Sequence, residues 1–184
     1  MDFSSWTPRG LADATAMNAR VRDVHRQLAS PPRFFAAGVS TITSVPDTGV
    51  FKTLKWDVID AAGGWTTTAD TFTVPTSGTY FITADFTALS PKDTSKRPAL
   101  RLAVVAQTGQ VEKDWLRSTH PIVVGGTYLT CSVRGPVVAA KGDRLSLRAL
   151  AAPGTGAWEV SAGSRASGQL NRFSAVLIAP GTSR

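Results

Sequence analysis

The side chains able to do chemistry in this sequence are few and scattered. His25 and His120 are its two histidines. A histidine acting as general base needs a nucleophile and an orienting carboxylate within reach. A zinc site needs three or four His, Cys or acidic ligands at close spacing. His25 falls in an Ala/Arg-rich stretch and His120 stands directly before Pro121, neither with such a cluster beside it. Asp57 and Asp60 form a candidate carboxylate pair, but their place at the end of an alternating apolar run fits solvated acids better. Cys131 is the one cysteine, so a pairing between two chains is the only disulfide left open. "GTYLTCSVRG" alternates around it and predicts a small buried strand residue. No nucleophile elbow, phosphate-cradling glycine loop, zinc motif or calcium-ligand run is present. The expectation is a non-enzymatic protein with no cofactor and no metal.

Residues suited to surface contact are easier to find. "SPKDTSKRP" and "PGTGAWEVSAGSR" read as long loops. In them Lys92, Lys96, Arg97 and Trp158 have the character of groups that hold glycans or anionic wall polymers. The competing reading makes Trp158 a core residue and the lysines mere solubilisers. A net charge of +7 also favours anionic partners. The cations are dispersed, however, with no Lys/Arg-rich run of the kind that grips nucleic acid, so no nucleic-acid partner is expected. Charged residues make up 18%, below the usual ~25%. That balance suits a β-sandwich which hides part of its surface in an oligomer.

The elements that must position these groups are mostly strands. From Arg33 onward, short alternating segments are broken by Gly/Pro turns, the pattern of a sandwich or jelly roll. "AAGVSTITSV" and "VFKTLKWDVI" are candidate strands, and "AAGG" a turn. "TFTVPTSGTYFITADFTAL" predicts a short strand, a Pro-Thr-Ser-Gly turn and a long strand over 79–89. Tyr80, Ile82, Ala84 and Phe86 lie on one face of it, and Phe81, Thr83, Asp85 and Thr87 on the other. "ALRLAVVAQTG", "TYLTCSVRGPVVAA", "RLSLRALAA" and "NRFSAVLIAP" continue the pattern.

Residues 1–32 differ. Ala14, Met17, Val21, Val24 and Leu28 step by three and four, the seam of a helix spanning about residues 11–29, which Pro31 and Pro32 end. Two heptads are too few for a self-sufficient coiled coil, and an isolated helix of this length is marginal in water. The seam must pack on its own domain, on sister copies or on a larger particle. We therefore divide the chain into an anchor segment, 1–32, and a β domain, 33–184. No stretch is apolar enough to span a membrane. "MDFSSWTPRG" lacks the features of a signal peptide, so assembly in a cytoplasm is expected.

Two resemblances sharpen this. "FTVPTSGTYFITADFTAL" resembles the signature segment of the globular heads of the complement/tumour-necrosis-factor superfamily, with Phe72, Pro75, Gly78 and Tyr80 in place. "VAAKGDRLSL" is similar to that family's Gly-Asp turn at Gly142, Asp143 and Leu145, and "FSAVLIAP" to its closing strand at Phe173, Leu177 and Ile178. The likeness spans roughly residues 36–179. It implies a mainly β, trimeric TNF-like jelly-roll sandwich preceded by one short N-terminal α-helix. "WTPRGLADATAMNARVRDVHRQL" is similar to the opening segment of minor tail and other virion proteins of actinobacterial phages, at Trp6, Met17, Asn18, Val21, Arg22 and Asp23. Arg9-Gly10 stands where those proteins carry Gly-Glu. Together the resemblances imply a virion structural protein. Trp6, Met17, Val21, Val24 and Leu28 would anchor it to other virion proteins, and a homotrimeric head would face the host surface. Two placements fit: a minor tail or tail-tip component, or a capsid decoration protein or head fibre.

Overall fold

The computed structural model describes residues 21, 22, 25, 29–39, 41–122, 124–161 and 171–181. It is mainly β, with 57% of the described residues in strands arranged as two antiparallel sheets. The helix expected at 11–29 lies for the most part outside the described residues, as do Trp6, Met17, Val24 and Leu28; Val21 is exposed.

The strands are β1 (Arg33–Ala37), β2 (Ser44–Val45), β3 (Lys52–Thr53), β4 (Val58–Ala62), β5 (Thr66–Thr67), β6 (Phe72–Thr73) and β7 (Gly78–Leu89). There follow β8 (Ala99–Thr108), β9 (Val111–Pro121), β10 (Tyr128–Ala139), β11 (Arg144–Ala151), β12 (Trp158–Val160) and β13 (Arg172–Pro180). The first sheet is built on β7. One flank of β7 pairs with β10, and the other pairs with β13 and then, near Leu89, with β12. β1 and β4 extend the sheet beyond β13, and β2 beyond β12. The second sheet runs β5-β6-β11-β8-β9, with β3 also on β11.

The alternation read from the sequence sets the interior. Tyr80, Ile82, Ala84 and Phe86 are fully buried, and so are Leu100, Leu102 and Val104 of the facing sheet. An aromatic cluster ties the layers together. Phe72 of the second sheet stacks on Phe34 of the first at 4.0 Å, and both lie edge-on to Phe173, at 5.4 and 5.0 Å. Such pairs are worth roughly 0.5–1.5 kcal/mol each beyond the area they bury.

The turns follow their local chemistry. Gly142 sits at φ +91°, where a β-carbon would be strained. The Asp143 carboxylate beside it accepts from the Ala140 amide and the Thr108 hydroxyl, which sets the start of β11. Gly78 has a different reason from turn freedom. It opens β7 against the end of β13, and a β-carbon there would lie 2.5 Å from the Ala179 carbonyl oxygen. Close approach, rather than backbone conformation, requires the glycine.

Several boundaries differ from expectation. The first strand begins at Arg33, before "AAGVSTITSV", and most of that segment connects β1 to β2. "VFKTLKWDVI" divides into β3 and the start of β4, with Leu54 and Trp56 buried between them. Ala61 and Ala62 of "AAGG" belong to β4. β9 was not expected at all. Its sequence, VEKDWLRSTHP, is an edge strand whose side chains are nearly all partly or fully exposed. A register shift opposite Val104 and Val105 interrupts its alternation.

Candidate functional site

The two sheets differ in how their outer faces are finished. On the second sheet, Arg148 makes a bidentate pair with Glu112, at 2.8 and 2.7 Å, and Arg117 pairs with Asp114. Beneath these pairs Ala103, Val105 and Ser146 are buried although they face outward. That sheet covers itself.

Among the described residues nothing packs over the outer face of the first sheet. The register aligns its outward residues in rows across β4, β1, β13, β7 and β10. One row is Ala62, Arg33, Val176, Phe81 and Pro136. The next is Asp60, Phe35, Ser174, Thr83 and Arg134. A third is Val58, Ala37, Arg172, Asp85 and Ser132. Phe35, Val58, Phe81, Tyr128, Val138 and Ile178 are all exposed along this sheet, Val138 by 78% and Phe81 by 39%. They stand among polar side chains of the same rows, so the face mixes exposed apolar and charged groups, the character of an interaction surface rather than of a fully solvated one.

Polar pairs cross the same face. Thr83 bonds Ser174 at 2.6 Å, and Thr87 bonds Thr130 at 2.8 Å. Asp85, only 7% exposed, accepts from Ser132 at 2.6 Å, Arg172 at 2.9 Å and Arg134 at 3.3 Å. Burial pushes its pKa up. The hydrogen bonds from Ser132 and Arg134 and the charges of Arg134 and Arg172 together outweigh that, leaving it below the ordinary carboxylate value. The native state thus binds this proton more weakly than the unfolded chain. The stabilisation is present above the unfolded carboxylate pKa of ~3.9 and is lost as pH falls through the lower native value. In urea titrations the stability difference between wild type and Asp85→Asn is therefore expected to hold from neutral pH to about 4. Below that it should shrink; a difference independent of pH would show that the carboxylate charge contributes nothing.

The cationic loop lies at one end of the sandwich. Residues 90–98 follow β7, and Lys92, Lys96 and Arg97 are exposed there, Arg97 at φ 53°. Asp93 takes the Ser95 amide and hydroxyl, and Gly126 donates to the Pro91 carbonyl. Gly125 packs so closely that a β-carbon would lie 2.2 Å from the Lys92 carbonyl oxygen. Gly156 abuts Pro91 and donates to Asp47, which draws a third and a fourth loop to the same end.

Trp158 is not part of that surface. β12 pairs with β2 and β7, which turns the indole inward to full burial in the core. The expectation of an exposed aromatic there is corrected, because a three-residue strand replaces the loop.

The opposite end receives the chain. The Pro32 carbonyl accepts from Leu177, and Gly181 donates to Ser77, so residues 32 and 181 both lie beside the start of β7. From that level to Leu89, at ~3.3 Å per residue, the strand spans ~30 Å.

The residues with potential chemistry do not converge. His120 bonds Ser118 at 2.8 Å on the edge strand β9, and among the described residues no carboxylate bonds its ring. His25 is exposed. Asp57 lies against Gly38, while Asp60 faces outward on β4. Burial pushes the Cys131 thiol up to about 12, far from a reactive thiolate. Among the described residues no three His, Cys, Asp or Glu side chains are grouped to hold a metal ion, and no helix is long and apolar enough to cross a membrane.

The outward cluster of Phe35, Phe81, Asp85, Arg134, Val138 and Arg172 was not picked out from the sequence as a site. Its signal was Phe81 alternating with buried Tyr80 and Ile82 on β7, an aromatic on the face a monomer would leave polar. The fold defines a two-sheet antiparallel β protein in which, among the described residues, the outer face of one sheet is exposed. No family model matches the chain, and no curated protein matches it significantly.

Proposed function

We propose that this chain is a structural component of a bacteriophage particle. In this reading it is a homotrimeric jelly-roll head on the tail or tail tip, anchored through residues 1–32 and turned toward the host surface. The observation that carries it is the polarity of the β domain. The chain enters at one end, the cationic loop stands ~30 Å away at the other, and a sheet face with exposed Phe35, Phe81 and Val138 among polar groups runs between. An anchored display head needs that arrangement.

The strand order supports the jelly roll. Four strands in one sheet, β1, β13, β7 and β10, face four in the other, β6, β11, β8 and β9. Taken in chain order, these eight strands change sheet at every step but the β8–β9 hairpin, as two Greek keys do. Three loops per trimer, each weak, give attachment by avidity.

Light scattering of the full chain tests the assembly, with three times 19.4 kDa expected. Retention on purified actinobacterial cell walls tests the attachment. It should fall at least ~10-fold when Lys92, Lys96 and Arg97 are all changed to Ser. A monomer that cell walls do not retain would overturn the reading.

A further inference from the structure

We infer that copies of this chain meet head to tail, the β10 edge of one against the β4–β1 edge of the next, with Arg134 of the first opposite Asp60 of the second. This rests on the proposed assembly through the first sheet and specifies its geometry.

The argument starts from one row of the outward face. Asp60 on β4 and Arg134 on β10 stand at its two ends, with Phe35, Ser174 and Thr83 between. Four strand spacings of ~4.8 Å separate them by ~19 Å, too far to pair within one chain. Asp60 is exposed and has no ion-pair partner among the described residues. Arg134 is 59% exposed and touches Asp85 only at 3.3 Å, whereas Arg172 holds the same carboxylate at 2.9 Å. Asp85 is one carboxylate shared by Arg134 and Arg172, so the β10 side of the row keeps one positive charge in surplus, and Asp60 at the other edge is a negative charge of opposite sign.

Rotation about an axis parallel to the strands keeps every row at its own level. The residues such a rotation can bring together are those at opposite edges of one row. It brings Arg134 to Asp60 and places Pro136 and Val138 of one copy toward the exposed edge that carries Phe35 and Ala62. Such a contact is heterologous, and it closes into the proposed trimer when successive copies are turned by one third of a revolution. The same axis puts every residue 32 at one end and every 90–98 loop at the other. A two-fold axis across the strands would invert alternate copies, so their anchors would point in opposite directions.

The test uses the full chain. Asp60→Arg should raise the apparent dissociation constant of the oligomer at least ~10-fold at physiological salt, because two like charges then meet. The double swap Asp60→Arg with Arg134→Asp should restore it. Should the acid placed beside Asp85 unfold the double swap, a second pair decides. Asp60→Cys with Arg134→Cys, treated with a short bis-maleimide, should give a covalent ladder ending at the trimer, and each single cysteine variant should give none. A wild-type trimer with no ladder, and with Asp60→Arg assembling normally, overturns this geometry while leaving the assembly intact. Cross-linked dimers alone overturn it in favour of a two-fold contact. A monomeric wild type removes both.

Discussion

Trp158→Ala is expected to destabilise the β domain by about 3–5 kcal/mol, the range for truncating a large buried aromatic to alanine. For a domain of this size that is a fall in melting temperature of roughly 10 °C. The indole is fully buried and is the largest fully buried side chain among the described residues. It lies where β12 bridges β2 and β7, so the cavity would open under two short pairings with few other ties. Its Nε1 has no hydrogen-bond partner among the described residues, so Trp158→Phe removes no bond and should cost much less. Urea unfolding followed by circular dichroism measures both. An alanine variant as stable as wild type, but defective in surface retention, would mean that the indole is at the surface after all.

Phe81→Asp is expected to dissociate the proposed oligomer without unfolding the chain. The side chain points away from the core, between Val176 on β13 and Pro136 on β10, so removing it opens no interior cavity. In the proposed ring Phe81 stands one strand in from the β10 edge, beside Pro136, so a carboxylate there would lose water at the contact without gaining a partner, a cost of several kcal/mol. In the proposed ring the loss repeats at every contact. Light scattering should report the monomer mass, and the circular dichroism spectrum should match wild type. Retention of the oligomer would show that copies do not meet on this face. The acid dependence assigned to Asp85 belongs to the same surface: protonating that carboxylate leaves Arg134 and Arg172 facing one another without their shared counter-charge.

Much of the β domain was legible because a strand writes its two faces into alternate residues. Alternation alone puts Tyr80, Ile82, Ala84 and Phe86 on one face, and they are buried together. Cys131 was expected as a small buried strand residue, and it is one. The turn at Gly142 and Asp143 was legible because its side-chain requirements are local. β9 was not, since an edge strand can be polar on both faces and the shift at Val104–Val105 breaks its period.

What the sequence determined by itself is the set of facts carried by neighbouring residues: the strand class of the chain, the alternation of the long strands, the Gly-Asp turn, and the lack of any local metal or nucleophile motif. The tertiary structure alone decided what depends on residues far apart. It turned Trp158 inward, because pairing with β2 and β7 sets the face of a three-residue strand. It gathered Asp85, Arg134 and Arg172 from three strands onto one carboxylate. It also left Phe35, Phe81 and Val138 uncovered on a common face. Period-2 patterning states that a residue has two sides to choose between, but which side meets water is settled only when the sheets pack.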